Sequence, residues 1–336
     1  MRRERPPGRR TYRRAPIALA LAAAAALTVA FALLGASTAR ATFHGKNGRV
    51  AFRRYFNDAH TRGAIFTIRP DGTGLKQITH RGKVALDTAP DWSPDGRWIA
   101  FYRDQPGKQS RVFKMRANGS DITLLSHDPN VGDLFPAWSP DGRRIVFTRF
   151  DDSIGLVALF VMRADGSHVH QVPGTARYGA QFAQWSPDAT RLVFEGFNSA
   201  GGEAIFTIRL DGTDTRRVTP WRLHAGDGPD WSPNGRWIVL ESHDEQGTAQ
   251  DNVFLVHPDG TDLHRITTSP LHVHQWGHYS FSPDGKMITV AHSPGVGQDG
   301  NADVWVMNLD GSGLRNVTRS VIFDSAPDWG SRPADR

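Results

Sequence analysis

A repeat of about 47 residues constrains the fold of this 336-residue chain more than any other feature of its sequence. Each repeat is marked by an aromatic residue, which Ser-Pro-Asp-Gly or a close variant follows in all copies but the last. These aromatic residues are Trp92, Trp138, Trp185, Trp231, Phe281 and Trp329, at steps of 46, 47, 46, 50 and 48 residues. A second marker, Asp-Gly or Asn-Gly, recurs in phase at residues 71, 118, 165, 211, 259 and 310. Such a period indicates an array of similar structural units.

Each unit predicts four short strands. The Pro and Gly of Ser-Pro-Asp-Gly favour a tight turn, and the Asp-Gly marker favours a two-residue hairpin loop. Apolar and β-branched runs, such as residues 98–101 and 253–256, lie between these turns and are typical of strands. No helical periodicity separates them. Four antiparallel strands per repeat predict an all-β fold, a six-bladed β-propeller with one blade for each aromatic marker.

The first and last strands of the array predict how the ring of blades closes. Residues 48–52 resemble a second strand of the repeat, whereas residues 326–329 resemble a first strand without its following turn. We expect these two segments to pair and to complete one blade between them, which hides the sheet edges that would otherwise be exposed. The recurrent aromatic residues are expected to pack between blades.

Residues 1–41 have the composition of an export signal. Eight arginines precede or flank an apolar run at residues 15–34, and Ala39-Arg40-Ala41 forms a small-x-small cleavage site. The sequence therefore predicts a signal peptide at 1–41 and a mature propeller at 42–336, secreted or associated with the cell envelope, as in the periplasm. The alternative is a membrane anchor at residues 15–34, because about twenty apolar residues can span a bilayer.

Charge and composition exclude some partners and some chemistry. Removal of residues 1–41 lowers Lys+Arg from 40 to 32 and Asp+Glu from 34 to 33, so the formal net charge falls from +6 to −1. A nucleic-acid-binding surface needs clustered positive charge, so we expect no nucleic-acid partner. The sequence contains no cysteine, which excludes disulfides and thiolate chemistry. We expect a monomer that is stabilised by its core alone.

The motif Trp-Ser-Pro-Asp-Gly-Arg followed by an apolar strand, as at residues 92–97, resembles the WD-like repeat of the TolB propeller family. The resemblance covers residues 48–330 and is specific for the fold rather than for a function. Similar repeats form the propeller of prolyl-oligopeptidase-type peptidases, but this chain contains neither a Gly-x-Ser-x-Gly elbow nor a His-Glu-x-x-His motif. We therefore expect a non-catalytic binding or scaffold protein for a protein, peptide or glycan partner.

Fold analogy places the candidate binding site at a mouth of the central channel, because the first strand of each propeller blade lines that channel. The candidate ligand-binding residues there are Asp87, Asp133, Gln181, Asp227, His278 and Asp324. Carboxylate oxygens suit hard cations, so the four aspartates predict a site for Ca²⁺ or for a basic peptide group. The alternative is that each aspartate is solvated and caps a turn.

Histidine is concentrated in one short segment. The candidate metal ligands there are His272, His274, Gln275 and His278. The segment resembles the oligogalacturonate lyases, similar repeat propellers that hold a divalent metal with histidines and a glutamine. This resemblance implies Mn²⁺ or Zn²⁺ and, as the alternative function, a metal-dependent polysaccharide lyase. A metal site needs three or four converging ligands, so the other interpretation is a surface loop that happens to contain histidines.

Overall fold

The computed structural model describes residues 45–80, 85–243, 251–267, 279–293 and 302–333. These ranges consist of β-strands and turns, and contain no α-helix, only two 3-10 turns at Ala176–Tyr178 and Trp221–Leu223. No helix within them is long and apolar enough to cross a membrane.

The strands of the described ranges form six blades of four antiparallel strands each. The strands of blade 1 that come first in the chain are β1 (Asn47–Tyr55), β2 (Gly63–Ile68) and β3 (Lys76–Gln77). Blade 2 contains β4 (Leu86–Trp92), β5 (Trp98–Gln105), β6 (Lys108–Arg116) and β7 (Thr123–Leu124). Blade 3 contains β8 (Gly132–Trp138), β9 (Arg144–Asp151), β10 (Leu156–Arg163) and β11 (His170–Gln171).

Blade 4 contains β12 (Gln181–Trp185), β13 (Arg191–Phe197), β14 (Glu203–Arg209) and β15 (Arg216–Arg217). Blade 5 contains β16 (Ala225–Trp231), β17 (Ile238–His243), β18 (Asp251–Val256) and β19 (His264–Arg265). Blade 6 contains β20 (Ser280–Phe281), β21 (Met287–His292), β22 (Asp303–Asn308) and β23 (Arg315–Asn316). The last strand, β24 (Asp324–Ser331), is the first strand of blade 1.

The pairing of β24 with β1 closes the ring, as the sequence predicts. The two strands are antiparallel, with Val50 opposite Trp329 and Arg54 opposite Asp324. Strands from the two ends of the propeller therefore share one blade. The fourth strand of every blade has only two residues, and such short outer edges offer little backbone for pairing with another chain.

The apolar core lies between the blades. Six clusters of buried side chains each combine residues from two neighbouring blades. One of them joins blade 6 to blade 1, because Val304 and Val306 pack with Phe52 and Trp329. The six recurrent aromatic residues are only 2–7% exposed, which confirms that they pack in this core. Burial of one large apolar side chain contributes roughly 1.5–3 kcal/mol, so these contacts are a main source of stability.

The Ser-Pro-Asp-Gly turn is stabilised by its own side chains. In blade 2, Ser93 Oγ donates to Asp95 Oδ1 (2.6 Å) and accepts the backbone N–H of Trp98 (2.9 Å). Gly96 has a φ of 66°, which glycine adopts without a steric penalty. The serine pairs with the same side-chain oxygen in four more turns, at Ser139, Ser186, Ser232 and Ser282. The repeat motif therefore encodes the turn that joins the first two strands.

The Asp-Gly loops are one residue longer than the sequence predicts. The N–H of Arg69 donates to the C=O of Thr73, so Pro70, Asp71 and Gly72 form a three-residue loop. A two-residue type I′ loop needs positive φ at both residues, and only Gly72 of this pair has one, at 87°. Asp71 Oδ1 instead accepts the backbone N–H of Thr73 (2.8 Å). This side-chain contact favours the longer loop.

The two faces of the propeller carry different connections, as the antiparallel order of four strands requires. The two tight turns of each blade, such as residues 93–97, lie on what we call the turn face. The loops from second to third strand, such as residues 152–155, and the connections between blades lie on the loop face. On the loop face, the N–H of Gly63, at the end of the loop between β1 and β2, donates to the C=O of Ala85, in the connection from blade 1 to blade 2. This hydrogen bond links the two kinds of connection.

Candidate binding site at the channel mouth

Three of the predicted site residues hold equivalent positions next to the loop face. Asp87, Asp133 and Asp324 lie in β4, β8 and β24, each five residues before the recurrent tryptophan. Gln181 and Asp227 lie in β12 and β16, four residues before theirs. Successive positions of a strand face opposite ways, so the side chain of Gln181 is not equivalent to those of Asp87, Asp133 and Asp324.

The predicted metal ligands cannot be located in the same way. His272, His274, Gln275 and His278 lie outside the described residues. Among the residues that the structure describes, no group of three or more His, Cys, Asp or Glu is arranged to hold a metal ion. Metal binding by the histidine segment stays a prediction.

Each of the three equivalent aspartates forms a bidentate ion pair with an arginine of the second strand. The pairs are Arg103 with Asp87 (2.5 and 2.9 Å), Arg149 with Asp133 (2.7 and 2.9 Å) and Arg54 with Asp324 (2.6 and 2.7 Å). All three carboxylates are 0% exposed. The hairpin register produces the pairs, because Asp87 lies opposite Arg103 and Asp133 lies opposite Arg149.

The ion pairs limit what these carboxylates can bind. The arginines are fixed on a second side by aromatic rings, since Arg149 lies 4.6 Å from the ring centre of Phe160 and Arg54 lies 5.0 Å from that of Phe66. A Ca²⁺ ion or a basic peptide group would have to compete with a guanidinium that is already bound by two hydrogen bonds. Ligand binding through the aspartates stays a prediction, and their established contacts are structural.

Burial affects the protonation of two of these aspartates. It raises the pKa of Asp324 to about 6, although the hydrogen bonds from Arg54 lower that pKa. The nearby Asp303 carboxylate also raises it. Burial also raises the pKa of Asp133, against the hydrogen bond and charge of Arg149. Removal from water disfavours the charged form of a carboxyl group. The Arg54–Asp324 pair is therefore ionised at pH 7 and loses its negative charge as the pH falls through 6.

Arg53 is a further buried arginine near the loop face, and no sequence motif singles it out. It is 5% exposed, and its guanidinium donates to the hydroxyls of Thr88 (2.7 Å) and Ser325 (3.1 Å from Nε). The guanidinium carbon lies 4.3 Å from the ring centre of Tyr55. Arg53 therefore connects blade 1 to blade 2. Burial, and after it the charge of Arg53, lowers the pKa of His60, so this histidine is neutral at pH 7.

An exposed apolar patch lies on the same face of blade 1. We call it the blade 1 patch and define it as Phe56, His60, Val321, Ile322 and Phe323. Val321 is 86% exposed, Ile322 41% and Phe56 40%. The rings of His60 and Phe323 pack with their centres 4.7 Å apart, which joins the loop after β1 to the connection before β24. Exposed apolar groups that cluster in this way mark interaction surfaces.

The central channel is nearly closed. Residues from all six blades surround a cavity of only about 20 Å³. The side chains of Phe135 and Phe182 face each other there, with ring centres 4.1 Å apart. The backbone at both residues is left-handed, with φ of 52° and 53°, at an irregularity in the pairing of the first strand. A cavity of this size holds about one water molecule, so a larger ligand has to bind at a mouth of the channel.

Three other aspartates of the first strands link neighbouring blades, and two of them, Asp91 and Asp328, line the channel cavity. Each immediately precedes a recurrent tryptophan, and its carboxylate accepts the backbone N–H of the corresponding aromatic residue in the next blade. The contacts are Asp91 with Trp138 (2.7 Å), Asp230 with Phe281 (2.8 Å) and Asp328 with Trp92 (2.7 Å). The Asp-Trp pair is visible in three copies of the repeat, so the sequence does contain a signal for these residues.

These three linking aspartates have raised pKa values. Asp91 is buried, and Asp230 and Asp328 are half-buried. Removal from bulk water is the main cause, and it raises the pKa of Asp230 to about 7 and that of Asp328 to about 6. The pKa of Asp91 is also well above its usual value, through burial and then the charge of Asp328. These groups suit proton uptake near pH 6 to 7 better than charge-based ligand binding.

Comparison with known proteins identifies the fold. Residues 132–293 match a family model described as the TolB beta propeller domain, PD40. The structure is similar to TolB from Acinetobacter baumannii, with a TM-score of 0.71 and 19% identity, covering 92% of this chain and 72% of that chain. For the putative TolB from Agrobacterium tumefaciens the TM-score is 0.62 and the identity 20%, covering 83% and 89%.

A more distant similarity is to the oligogalacturonate lyase from Vibrio parahaemolyticus, with a TM-score of 0.54 and 11% identity, covering 80% of this chain and 78% of that chain. Identities this low show a shared fold and not a shared activity. The family match, the TolB structures and the six closed blades confirm the prediction from the repeat motif. The chain has the fold of a six-bladed β-propeller similar to that of TolB.

Proposed function

We propose that the protein is an exported, non-catalytic binding protein that holds a protein partner on the loop face of its propeller. The observation that carries the proposal is the blade 1 patch, where Val321, Ile322 and Phe56 are 86%, 41% and 40% exposed. Apolar side chains exposed together lose contact with water when a partner covers them, which favours association. A peptide or a glycan is the alternative ligand.

The structure beneath the patch supports this proposal. Among the described residues, the cavity in the channel is only about 20 Å³, so contact with a protein has to be made on a face. Arg53 holds blades 1 and 2 together below the patch through Thr88 and Ser325, and the Arg54–Asp324 pair fixes the strand next to it. A surface that is already ordered loses little conformational entropy on binding.

Mutation of the patch tests the proposal. The full chain is expressed in its producing cell with a photocrosslinking amino acid beside the patch, and crosslinked species are compared between the wild type and Val321→Glu. Ile122→Glu is the matched control, because Ile122 is 42% exposed and lies on the turn face. We expect one discrete protein adduct that Val321→Glu abolishes and Ile122→Glu retains. An adduct that survives both substitutions would place the partner elsewhere.

Export is a separate part of the proposal and is motivated by the arginines, apolar run and cleavage motif of residues 1–41. Sequencing the N-terminus of the protein recovered from the producing cell tests it. A mature chain that starts at Thr42 is the expected result. A full-length chain in the membrane fraction would instead support the anchor at residues 15–34, and a full-length chain in the cytosol would contradict export.

A metal-dependent lyase is the alternative function, and the histidine segment at residues 272–278 favours it. Elemental analysis of the protein, purified without chelator or histidine tag, separates the two proposals. One equivalent of Mn²⁺ or Zn²⁺ would favour the lyase and make a polysaccharide-cleavage assay the next step. Calcium, or no metal, would favour the binding protein. A thermal shift on addition of millimolar Ca²⁺ tests the channel-mouth aspartates in the same preparation.

A further inference from the structure

On the turn face, a slot lies between the two tight turns of a blade, and the second residue after Ser-Pro-Asp-Gly or its variant covers it in the blades compared below. In blade 2, Trp98 fills the slot and lies 4.6 Å below the guanidinium of Arg116. In blade 5, Trp237 stacks on His257 with ring centres 4.1 Å apart. Side-chain packing therefore closes the slot in these two blades.

Arginine fills the same slot in two other blades. Arg191 of blade 4 pairs with Asp214 (2.6 Å) and donates to Thr207 Oγ1 (3.2 Å) of its own blade. Arg49 of blade 1 donates to Thr67 Oγ1 (2.9 Å) of its own blade. In both cases the guanidinium stays within the blade and covers the slot.

Blade 3 differs because its arginine turns towards blade 4, although it still lines the slot and lies 3.7 Å from Asp141 Oδ2 of its own blade. Arg144 Nη2 donates to the backbone C=O of Ala189 (3.2 Å), in the turn of blade 4. The guanidinium lies 4.7 Å from the ring centre of Trp185, also in blade 4. The slot is left open as a groove of about 880 Å³ on the turn face. We call it the blade 3 groove, lined by Lys114, Asp141, Arg143, Arg163, His168 and His170.

The blade 3 groove also lacks an acidic residue that three other blades have. The loop before the fourth strand contains a left-handed residue, and it is Asp121, Asp214 and Asp262 in blades 2, 4 and 5. Asp121 pairs with Arg116 (2.7 Å) and Asp214 pairs with Arg191 (2.6 Å). In blade 3 the left-handed residue is His168, with φ 58°. The carboxylate that would neutralise the basic side chains is therefore replaced by a histidine.

Positive charge dominates the blade 3 groove. Arg143, Arg144 and Arg163 contribute cations together with Lys114, whose Nζ donates to the C=O of Ala164 (2.7 Å). Within the described part of the chain, no carboxylate lies within ion-pair distance of Arg143 or Arg163. The two carboxylates of the groove, Asp141 and Asp165, hold the turns and remain ionised, so they offset two of the four positive charges contributed by Lys114, Arg143, Arg144 and Arg163. Asp141 accepts from Ser139 Oγ (2.5 Å) and Asp165 accepts the backbone N–H of Ser167 (2.9 Å).

We propose that the blade 3 groove is a second binding site, which takes an acidic segment of a protein partner with two or more closely spaced carboxylates. Arginine guanidinium groups bind carboxylates through paired, charge-assisted hydrogen bonds. Clusters of arginine are a recurrent means of recognising acidic motifs. Among the described residues that line the groove there is no Phe, Tyr or Trp, the side chains on which a sugar ring usually stacks. This site lies on the face opposite the blade 1 patch and is independent of it.

Fluorescence anisotropy with a labelled peptide of alternating aspartate and glycine tests this proposal on the full chain. We expect Arg163→Glu to weaken binding about tenfold or more, because it replaces attraction by repulsion. Arg209→Glu is the matched control, since Arg209 holds the equivalent position in blade 4, where the slot is filled. It should change affinity less than about twofold.

His168→Asp is the second variant and restores the residue type of blades 2, 4 and 5. Aspartate tolerates the left-handed backbone, so the fold should be retained, while the new carboxylate pairs with the basic side chains and abolishes peptide binding. Absence of binding by the wild type, or equal losses in Arg163→Glu and Arg209→Glu, would overturn the proposal. Preference for an oligogalacturonate or for inorganic phosphate over the peptide would also overturn it, because the ligand class would be wrong.

Discussion

The buried Asp–Arg pairs near the loop face predict how single substitutions change the free energy of unfolding. The Asp87 side chain is 0% exposed and that of Arg103 is 7% exposed. Removal of one partner leaves the other charge buried and uncompensated, which costs about 3–5 kcal/mol. We therefore expect Asp87→Ala to lower the free energy of unfolding by that amount, measured by urea denaturation.

Two comparisons test the explanation. The double variant Asp87→Leu/Arg103→Met should lose less stability than Asp87→Ala, because no unpaired charge remains. Asp121→Asn removes the charge from an exposed ion pair with Arg116, in which the side chains are 57% and 50% exposed. Asparagine tolerates the left-handed backbone of this position, so the substitution should cost less than about 1 kcal/mol. A double variant as unstable as Asp87→Ala would show that packing, and not the unpaired charge, accounts for the loss.

Asp328 predicts a dependence of stability on pH. Its folded-state pKa is raised to about 6, above the value of about 3.9 for an aspartate in an unfolded chain. The folded state then binds a proton more tightly than the unfolded state. The contribution of this proton to stability is fully present below about pH 4 and is lost as the pH rises through 6.

Asp328→Asn separates this effect from that of other carboxyl groups. The amide oxygen can still accept the Trp92 N–H, and the amide nitrogen can donate to Ser280 Oγ, which now contacts the carboxylate at 2.8 Å. We expect the fall in unfolding free energy between pH 4 and 7 to be smaller in the variant by on the order of 2 kcal/mol. Parallel stability curves for the two proteins, measured in urea at several pH values, would contradict the assignment.

At the scale of strands and turns, the sequence predicted the elements that local chemistry determines. The turn at residues 93–96 is stabilised by its own Ser93 and Asp95, so its position could be predicted without any distant contact. The length of the Asp-Gly loop could not be predicted from the sequence, because it depends on the φ angle that Asp71 adopts. The ion pairs could have been predicted, since Asp87 and Arg103 face each other across a hairpin whose turn is encoded in the motif.

Contacts between blades are what the sequence did not reveal. Arg49, Arg144 and Arg191 occupy the same position of the repeat, yet only Arg144 of these three donates to a neighbouring blade. The direction of its side chain depends on the packing against Trp185. The blade 3 groove is therefore visible only when blades that are similar in sequence are compared in space.

The closing strand β24 contains a glycine that sequence analysis of a single blade would not explain. A Cβ atom at Gly330 would lie 2.4 Å from Cγ of Trp92 and 2.5 Å from its Cδ2. Overpacking of this kind forces side chains or backbone to shift. We expect Gly330→Ala to lower the free energy of unfolding by about 1–3 kcal/mol, measured by denaturation.

Gly132→Ala is the control for this substitution. A Cβ atom at Gly132, in strand β8, would meet the flexible side chain of Gln109 at 3.4 Å, which is nearly ordinary contact. The expected change in stability is within about 0.5 kcal/mol. Equal effects of the two substitutions would indicate a general cost of removing glycine from a strand and no special contact at Trp92.

At the scale of the whole propeller, stability depends on the closure of a ring. Every apolar cluster bridges two blades, and the cluster between blades 6 and 1 includes Trp329 of the closing strand. The chain also crosses this interface, through the connection between β23 and β24. The gap in the covalent ring lies within blade 1, between β24 and β1, and strand exchange, the pairing of these two strands, closes it. Without that pairing, blade 6 and β24 could separate together from the rest of blade 1.

Circular permutation tests this role of strand exchange. The N–H of Arg332 donates to the C=O of Lys46 at 2.8 Å, so a short turn can join residues 333 and 45. One permutant opens the turn between Asp141 and Gly142, which transfers strand exchange to blade 3. The other opens the connection between Pro129 and Asn130, which leaves every blade continuous and no blade shared.

We expect the first permutant to unfold within a few degrees of the wild type and the second to unfold roughly 5 °C or more below it. In the second, the interface of blades 2 and 3 can open by separating the cluster around Trp138 and Ile145 without unpairing any strand. Hydrogen exchange should then accelerate first in β8 and β9. Equal midpoints and equal exchange in the two permutants would show that apolar packing alone closes the ring and that the shared blade adds nothing to it.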